Sequence, residues 1–213
     1  MKEIEINHIY NEDCLETMKR MADKSVDLVL TDPPYGIFKP MGENGAMGNF
    51  SGMGVDASKW DIKPTQEFFD EVKRVGKNYV IWGGNYFADM IGACKEPWIW
   101  DKQTGKNFFA DGELAFTSYQ GTLRIYHHQW CGAFKASERG EKAMHPTQKP
   151  VALMAWCMRN TKEGDLIYDP MCGSGSTLIA AKMLKRNYIG CEISPEYCKI
   201  AQDRIKSISN PLF

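Results

Sequence analysis

The stretch that decides the fold is Val26-Asp27-Leu28-Val29-Leu30-Thr31-Asp32-Pro33-Pro34-Tyr35-Gly36. Its first half is apolar and rich in β-branched residues, which is typical of a buried strand. The two prolines have no N–H to donate to a strand ladder, so the strand ends at Asp32 and the backbone after it is stiff. The pattern predicts that the Asp32 carboxylate, the Pro33 carbonyl and the Tyr35 ring lie at the carboxyl edge of a sheet, where open α/β sheets bind ligands.

These three groups suit a planar ring that carries an exocyclic amine. An ionised Asp32 only accepts hydrogen bonds, and so does the Pro33 carbonyl, so together they can hold both N–H bonds of an NH2 group. The Tyr35 ring can stack on the face of such a ring. The alternative is purely structural, namely a strand end with a rigid turn and one packed tyrosine.

A second motif lies far downstream. A predicted strand ends at Asp169, the turn Gly173-Ser174-Gly175 follows, and after a helix another strand ends at Glu192. This is the order of a nucleoside-binding βαβ unit, in which the glycines allow close approach and the second acid takes the ribose hydroxyls. Leu178 stands where a dinucleotide fingerprint has its third glycine, and no Gly-Lys-Ser/Thr follows. Ribose and adenine without phosphates therefore fit better than a nicotinamide dinucleotide, and a P-loop is excluded.

Three motifs together resemble the amino-group DNA methyltransferases, which methylate adenine N6 or cytosine N4. They are Asp32-Pro33-Pro34-Tyr35, His145-Pro146-Thr147-Gln148-Lys149-Pro150 and Asp169-Pro170-Met171-Cys172-Gly173-Ser174-Gly175-Ser176-Thr177. The catalytic motif precedes the cofactor loop, an order that resembles the β-group of these enzymes. The resemblance implies S-adenosylmethionine as cofactor, DNA as substrate, and Asp32, Pro33, Pro34 and Tyr35 as catalytic residues.

The same resemblance assigns cofactor binding to residues at the strand ends and in the loops that follow them. They are Asp13, Cys14, Asp32, His145, Thr147, Lys149, Asp169, Pro170, Met171, Gly173, Ser174, Gly175, Ser176, Thr177, Glu192 and Ile193. In the family an acid at the position of Asp13 contacts the cofactor's adenine. Asp13 is equally well placed to cap the helix that follows it, and one residue can do both.

The expected fold class is α/β, with a Rossmann-like, doubly wound and mostly parallel sheet that carries an antiparallel edge hairpin. The hairpin is assigned to the strands predicted at 98–102 and 113–117. Because the motif order is circularly permuted, the strand that ends at Tyr10 should neighbour the last helix in one layer. The chain is interpreted as a single catalytic domain over residues 1–213.

Two segments fit this scheme less well. The glycine-rich loop 36–60 is interpreted as a mobile lid beside the catalytic motif, and the alternative is an insertion with no role. Residues 120–144 are interpreted as a short target-recognition region, because 120–149 combine five cations with interleaved aromatic rings. The alternative there is an ordinary solvated loop with some core aromatics.

The composition is that of an ordinary soluble protein, with 213 residues and a formal net charge of -1. No stretch approaches the ~20 apolar residues of a membrane span, and the start of the chain does not resemble a signal peptide. The seven cysteines are odd in number and lack metal-site spacing, which favours a reducing, cytoplasmic location and no metal. The resemblance to the β-group enzymes alone suggests a homodimer.

The predicted function is site-specific methylation of adenine N6 in DNA, on a base flipped out of the duplex. Adenine is favoured because cytosine-N4 enzymes of this family more often have serine where this chain has Asp32. The alternatives are a cytosine-N4 DNA methyltransferase, an RNA or protein methyltransferase, and a non-catalytic nucleotide-binding module.

Overall fold

The computed structural model describes residues 3–37, 61–105, 110–131, 134–138 and 148–208. Within these ranges ten strands are formed. They are β1 (His8–Tyr10), β2 (Val26–Thr31), β3 (Gly76–Trp82), β4 (Trp98–Asp101), β5 (Gly112–Thr117), β6 (Arg124–His127), β7 (Trp130–Cys131), β8 (Phe134–Lys135), β9 (Leu166–Asp169) and β10 (Asn187–Cys191). Eight of them build one sheet in the order β1-β10-β9-β2-β3-β5-β4-β6, and β7 pairs with β8 separately.

The sheet is mostly parallel, as the sequence predicts. Five neighbouring pairs are parallel, namely β1-β10, β10-β9, β9-β2, β2-β3 and β4-β6. Strand β5 runs antiparallel to both β3 and β4. The antiparallel hairpin of β4 and β5 is confirmed. It lies one strand in from the edge, because β6, which the sequence pattern did not predict, pairs outside β4.

The permuted arrangement is also confirmed. β1 pairs with β10, with Tyr10 opposite Cys191, and the amide of Glu192 donates to the Tyr10 carbonyl at 3.0 Å. The last helix packs against β1. β1 is shorter than the alternating pattern from Ile4 predicts, because Asn7 has a φ of 61° and its side chain bonds the amide of Tyr188. Ile6 is consequently exposed rather than part of the strand.

Helices cover both faces of the sheet. They are α1 (Cys14–Lys19), α2 (Gln66–Val75), α3 (Ala88–Ile91), α4 (Val151–Cys157), α5 (Ser176–Met183) and α6 (Pro195–Ser207), with a short 3₁₀ turn at Gly84–Tyr86. Leu28 and Leu30 of β2 pack on one face with α4, α5 and α6. Val29 packs on the opposite face with α1 and α2. Since β2 is buried on both faces, its sequence is a continuous apolar run rather than an alternating one.

The described part of the chain has no helix that is both long and apolar enough to cross a membrane.

Candidate functional site

The carboxyl ends of the central strands lie at one edge of the sheet, and both sequence motifs follow these ends. Val29 of β2 lies opposite Tyr168 of β9, so Asp32 and Asp169 emerge side by side. The two carboxylates are near enough that the charge on Asp32 raises the pKa of Asp169. The catalytic motif and the glycine loop, which are separated by most of the chain, are therefore neighbours in space.

Both carboxylate oxygens of Asp32 have partners. Oδ1 accepts from the Tyr35 hydroxyl at 2.7 Å, and Oδ2 lies 2.5 Å from Nζ of Lys149. Burial raises the pKa of the Asp32 carboxyl, while Lys149 opposes that rise, Glu113 adds to it, and the bonds from Lys149 and Tyr35 again oppose it. Asp32 is thus a largely enclosed acceptor whose charge is balanced by one buried cation.

The Tyr35 ring is fixed by its surroundings. It stacks on Tyr86 with the ring centroids 4.8 Å apart and the planes at 20°. Gly83 allows the Tyr35 ring to lie close to the backbone, because a Cβ at that position would lie 2.2 Å from the ring, and its φ of 70° suits glycine. One face of the Tyr35 ring is therefore covered by Tyr86.

Lys149 and Glu113 extend the site beyond the predicted catalytic motif. Nζ of Lys149 lies 2.8 Å from Oε2 of Glu113, and the other oxygen of Glu113 lies 2.5 Å from Nζ of Lys102. Burial opposes the ionisation of Glu113, but the charges of Lys149 and then Lys102 outweigh it, so the pKa of Glu113 is lowered. The pKa of Lys149 is raised, because Asp32 and Glu113 overcome the effect of its burial.

Sequence reasoning missed Glu113 and Lys102, and it assigned Lys149 to the cofactor. A signal for Glu113 existed in the predicted hairpin. Glu113 is the second residue of β5 and lies opposite Trp100 near the end of β4, and this end of the hairpin lies at the same edge of the sheet as Asp32. Nothing in the spacing of Lys149 showed that its ammonium would contact Asp32.

The second centre is the glycine loop after β9. Asp169 is buried, and burial raises its pKa to about 7, although bonds from the Thr177 side chain and the Met171 amide favour the charged form. The Met171 amide lies 3.2 Å from Oδ1 of Asp169. Gly175, with a φ of 84°, precedes α5 in a left-handed conformation that lets the turn close. The loop therefore places the Met171 amide beside Asp169, together with the Thr177 side chain from the start of α5.

Glu192 is held against this loop. Its Oε2 accepts from the Gly173 amide at 2.9 Å and its Oε1 accepts from the Ser194 amide at 2.8 Å. Burial raises the pKa of Glu192, and these amides oppose the rise. Each carboxylate oxygen can accept a second hydrogen bond, so the oriented group retains acceptor capacity for two hydroxyls.

The remaining predicted residues divide into surface and buried positions. Asp13 caps α1 and accepts from the Leu15 amide at 2.8 Å, while the Cys14 thiol is buried in the core and burial raises its pKa. Ile193 is 72% exposed beside Glu192. The hydroxyl of Ser176 is buried without a hydrogen-bond partner among the described residues.

Other predicted positions lie around the loop or beyond the described ranges. Ser174 contacts Gln148 at 3.3 Å, which brings the two downstream motifs together. Pro170 lies between Asp169 and the loop. His145 and Thr147 lie outside the described residues, as does most of the predicted lid. Within the described ranges, no group of three or more histidines, cysteines and acids is arranged to hold a metal ion.

These residues fit the nucleoside part of S-adenosylmethionine. The oriented carboxylate of Glu192 matches a pair of ribose hydroxyls, and the exposed side chain of Ile193 supplies an apolar surface for an adenine ring. The loop Gly173–Gly175 lets a ligand approach the backbone closely. The loop itself contains no Lys or Arg that could bind a phosphate. A doubly wound sheet with these two motifs at neighbouring strand ends defines an α/β enzyme that binds a nucleoside cofactor.

Comparison with known proteins narrows the class. The family model described as "DNA methylase" (N6_N4_Mtase) matches residues 26–203. The type II methyltransferase M2.DpnII of Streptococcus pneumoniae is 26% identical over 93% of this chain and 89% of its own length. The type II methyltransferase M.HinfI of Haemophilus influenzae is 26% identical over 97% of this chain and 70% of its own length.

Solved structures share the fold. The M1.HpyAVI-SAM complex is similar with a TM-score of 0.60, 24% identity and coverage of 92% of this chain and 98% of that one. The PvuII cytosine-N4-specific DNA methyltransferase is similar with a TM-score of 0.66, 18% identity and coverage of 98% and 89%. The chain belongs to the N6/N4 DNA methylase family, and it is an S-adenosylmethionine-dependent DNA methyltransferase.

Proposed function

We propose that this enzyme methylates adenine N6 in DNA and that Asp32 holds the target amine. The observation that carries the proposal is the position of Asp32 at the end of β2, beside the β9 end from which the glycine loop starts. A cofactor held by Glu192 and the loop and a base held by Asp32 would meet at this edge. No other acid-Pro-Pro-aromatic sequence occurs in the chain.

The chemistry asked of the protein is mostly positioning. Bound S-adenosylmethionine supplies a methyl group that its sulfonium centre has already activated. The amine is a poor nucleophile because its lone pair is delocalised into the ring. Hydrogen bonds from its two N–H groups to Asp32 and the Pro33 carbonyl localise that lone pair and direct it away from the carboxylate. Holding the reactants in line in a site with little water contributes several kcal/mol more, on the order of what oriented intramolecular reactions gain.

Adenine rather than cytosine is favoured by the acid at the first position of the motif. The family resemblance associates serine at this position with cytosine N4. The likeness to the PvuII enzyme, at 18% identity, concerns the fold and leaves the target base open. Cytosine N4 is therefore the second candidate.

A base inside a duplex cannot reach the end of β2, so the target nucleotide has to flip out. In the described part of the predicted recognition region, β6 carries exposed Arg124 and His127 at the sheet edge, next to β4. We assign this edge, with the neighbouring β7 and β8, to contact with the DNA around the flipped base. A net charge of -1 implies that DNA binding depends on such local contacts rather than on the whole surface.

The test is to incubate the protein with methyl-labelled S-adenosylmethionine and unmethylated genomic DNA, digest the DNA to nucleosides and identify the labelled product. We expect N6-methyladenine. Labelled N4-methylcytosine would establish the second candidate instead. Label in neither nucleoside, with RNA and protein as further acceptors, would overturn the assignment to DNA.

A further inference from the structure

Four charged side chains and one hydroxyl form a closed network around Asp32. We call Asp32, Tyr35, Lys102, Glu113 and Lys149 the charge network. Glu113 bridges two ammonium groups, one on each of its oxygens, and Lys149 bridges two carboxylates. The two acids and two lysines balance, so the network carries no net charge.

The Lys149 ammonium uses its donors within the network. Nζ contacts Oδ2 of Asp32 at 2.5 Å, Oε2 of Glu113 at 2.8 Å and the Tyr35 hydroxyl at 3.3 Å. An ammonium group has three N–H donors. The side chain is only 7% exposed, and it lies near the rings of Tyr35 and Trp82. This geometry leaves no donor of Lys149 directed toward a separate cofactor molecule.

The chemistry of the amine explains why this cation matters. An ionised carboxylate offers only acceptors, whereas a protonated one carries an O–H donor that opposes the N–H donors of an amine. The Asp32 side chain is partly buried, with 22% of its surface exposed, and it faces a second acid across the network and lies beside Asp169. Burial and neighbouring acids both favour the protonated form of such a group unless a cation opposes them. Lys149 is the cation in direct contact with it.

We propose that Lys149 is a positioning residue that keeps Asp32 ionised and oriented for the target amine, and that Glu113, anchored by Lys102, fixes Lys149 in place. This rests on the proposed role of Asp32 in holding that amine. It assigns Lys149 to the binding of the target base instead of the cofactor. It also adds Glu113 and Lys102, from the β4–β5 hairpin, as residues that support Lys149.

The charges predict different effects on the Asp32 pKa when each of the two bridging residues is replaced. Lys149→Met removes the cation that faces Asp32, so the carboxyl pKa of Asp32 should rise by about 1 to 3 pH units. Glu113→Gln removes an anion that raises the same pKa, so it should leave that pKa unchanged or lower it, while transfer slows because Lys149 loses an anchor. The other titratable groups beside Asp32 are Tyr35 and Asp169, and Lys102 lies against Glu113 on the far side of the network.

The first measurement is a titration that needs no activity. Aspartate labelled with 13C at the carboxyl carbon is followed by NMR in the wild type and in Lys149→Met, with the Asp32 signal assigned by its loss in Asp32→Asn. The expected result is an upward movement of the Asp32 midpoint in Lys149→Met and none in Glu113→Gln. An unchanged midpoint in Lys149→Met, in a variant whose melting shows that it is folded, overturns the inference.

The second measurement is methyl transfer across about pH 5.5 to 9.5. The acid limb of kcat for Lys149→Met should move upward, so that activity lost at neutral pH returns in part near pH 9. Lys149→Arg should keep the wild-type limb, and Lys199→Met, an exposed control on α6, should be wild type throughout. A raised dissociation constant for S-adenosylmethionine with an unmoved limb would instead make Lys149 a cofactor ligand and overturn the inference. Failure of the wild type to methylate any DNA base refutes the proposed function. The NMR titration tests this inference separately, because it needs no methyl transfer.

Discussion

The two acidic centres at the carboxyl edge are held in different ways. Asp32 is held by the nearby Tyr35 hydroxyl and by Lys149, which comes from the segment before α4. Glu113 of β5 contacts Lys149 in turn. Asp169 and Glu192 are held by groups of the loops that surround them, chiefly the amides of Met171, Gly173 and Ser194. The first centre includes a full cation, whereas the second is held by backbone amides and the uncharged Thr177 side chain.

The difference matches the role that we propose for each centre. Backbone amides orient a carboxylate without adding a full charge, which suits the binding of neutral ribose hydroxyls. A full cation is needed where the acid has to remain ionised in an enclosed site, which suits an acceptor for an amine. Changes at the first centre should therefore alter the rate of transfer, and changes at the second should alter cofactor affinity or stability.

The largest expected effect follows Asp32→Ala. Removing the acceptor should lower kcat by at least about 100-fold, comparable with the loss of one oriented group that stabilises a transition state. The dissociation constant for S-adenosylmethionine, measured by calorimetry, should stay within about three-fold, because Glu192 and the loop are untouched. Transfer within ten-fold of wild type would remove Asp32 from its proposed role.

Glu192→Ala should produce the reverse pattern. Loss of a charged acceptor costs about 1.5 to 3 kcal/mol, so the dissociation constant for S-adenosylmethionine should rise by roughly 10- to 100-fold. At saturating cofactor, kcat should remain near wild type. Glu196→Ala, at an exposed acid in the first turn of α6, is the matched control and should bind normally. Equal affinity in the two variants would separate Glu192 from the cofactor.

Asp169→Asn tests the buried acid through the pH dependence of stability. In the folded protein Asp169 holds its proton up to a pKa of about 7, whereas in the unfolded chain it releases the proton near its ordinary pKa of 3.8. Because the native state binds more protons in this window, ionisation of Asp169 lowers stability as the pH rises through it. Asparagine does not titrate in this range, so Asp169→Asn removes this contribution to the pH dependence of stability.

Chemical denaturation at pH 5 and pH 8 measures this effect. Relative to Asp169→Asn, the wild type should lose about 1 to 3 kcal/mol of unfolding free energy between the two values. Asp203→Asn, at an exposed position on α6, should keep the wild-type dependence. Parallel curves for wild type and Asp169→Asn would contradict the raised pKa.

The smallest expected effect concerns Asp13. Loss of its cap on α1 in Asp13→Ala should cost about 1 kcal/mol of stability, and Asp13→Asn should restore most of it, because asparagine also caps well. Thermal melting measures the cap. Because Asp13→Asn keeps the cap, a weaker affinity for S-adenosylmethionine in this variant would support the adenine contact that the family resemblance implies. Equal melting temperatures of Asp13→Ala and wild type would refute the cap.

Local chemistry explains which parts could be predicted. β2, β9 and β10 are apolar runs that end at an acid, and Ser194 with Pro195 marks the start of α6, so these elements can be assigned from neighbouring residues alone. β6 could not be predicted because three of its four residues are exposed and its pattern lacks alternation. It is a strand only because β4 supplies a hydrogen-bonding partner.

The catalytic motif could be found from the sequence, but the contacts that its supporting side chains make could not. The partners of Asp169 and Glu192 lie within about one βαβ unit, where turn geometry determines them. Lys149 and Glu113 meet Asp32 through the packing of three separate segments. Contacts of this kind depend on the finished fold and leave no spacing rule in the chain.

The pairing of β1 with β10 has a consequence for how the molecule is assembled. Asn7 and Asn187, which bond across this pair, are 180 positions apart. A contact between such distant segments requires closure of a very long loop, and topologies of this kind fold slowly. During synthesis β1 emerges long before its partner, and until it docks, the open edge of β10 is a template for pairing with other chains. The edge that carries Glu192 is thus completed late in folding, only after synthesis has passed β10, and the cofactor role proposed for Glu192 depends on that late step.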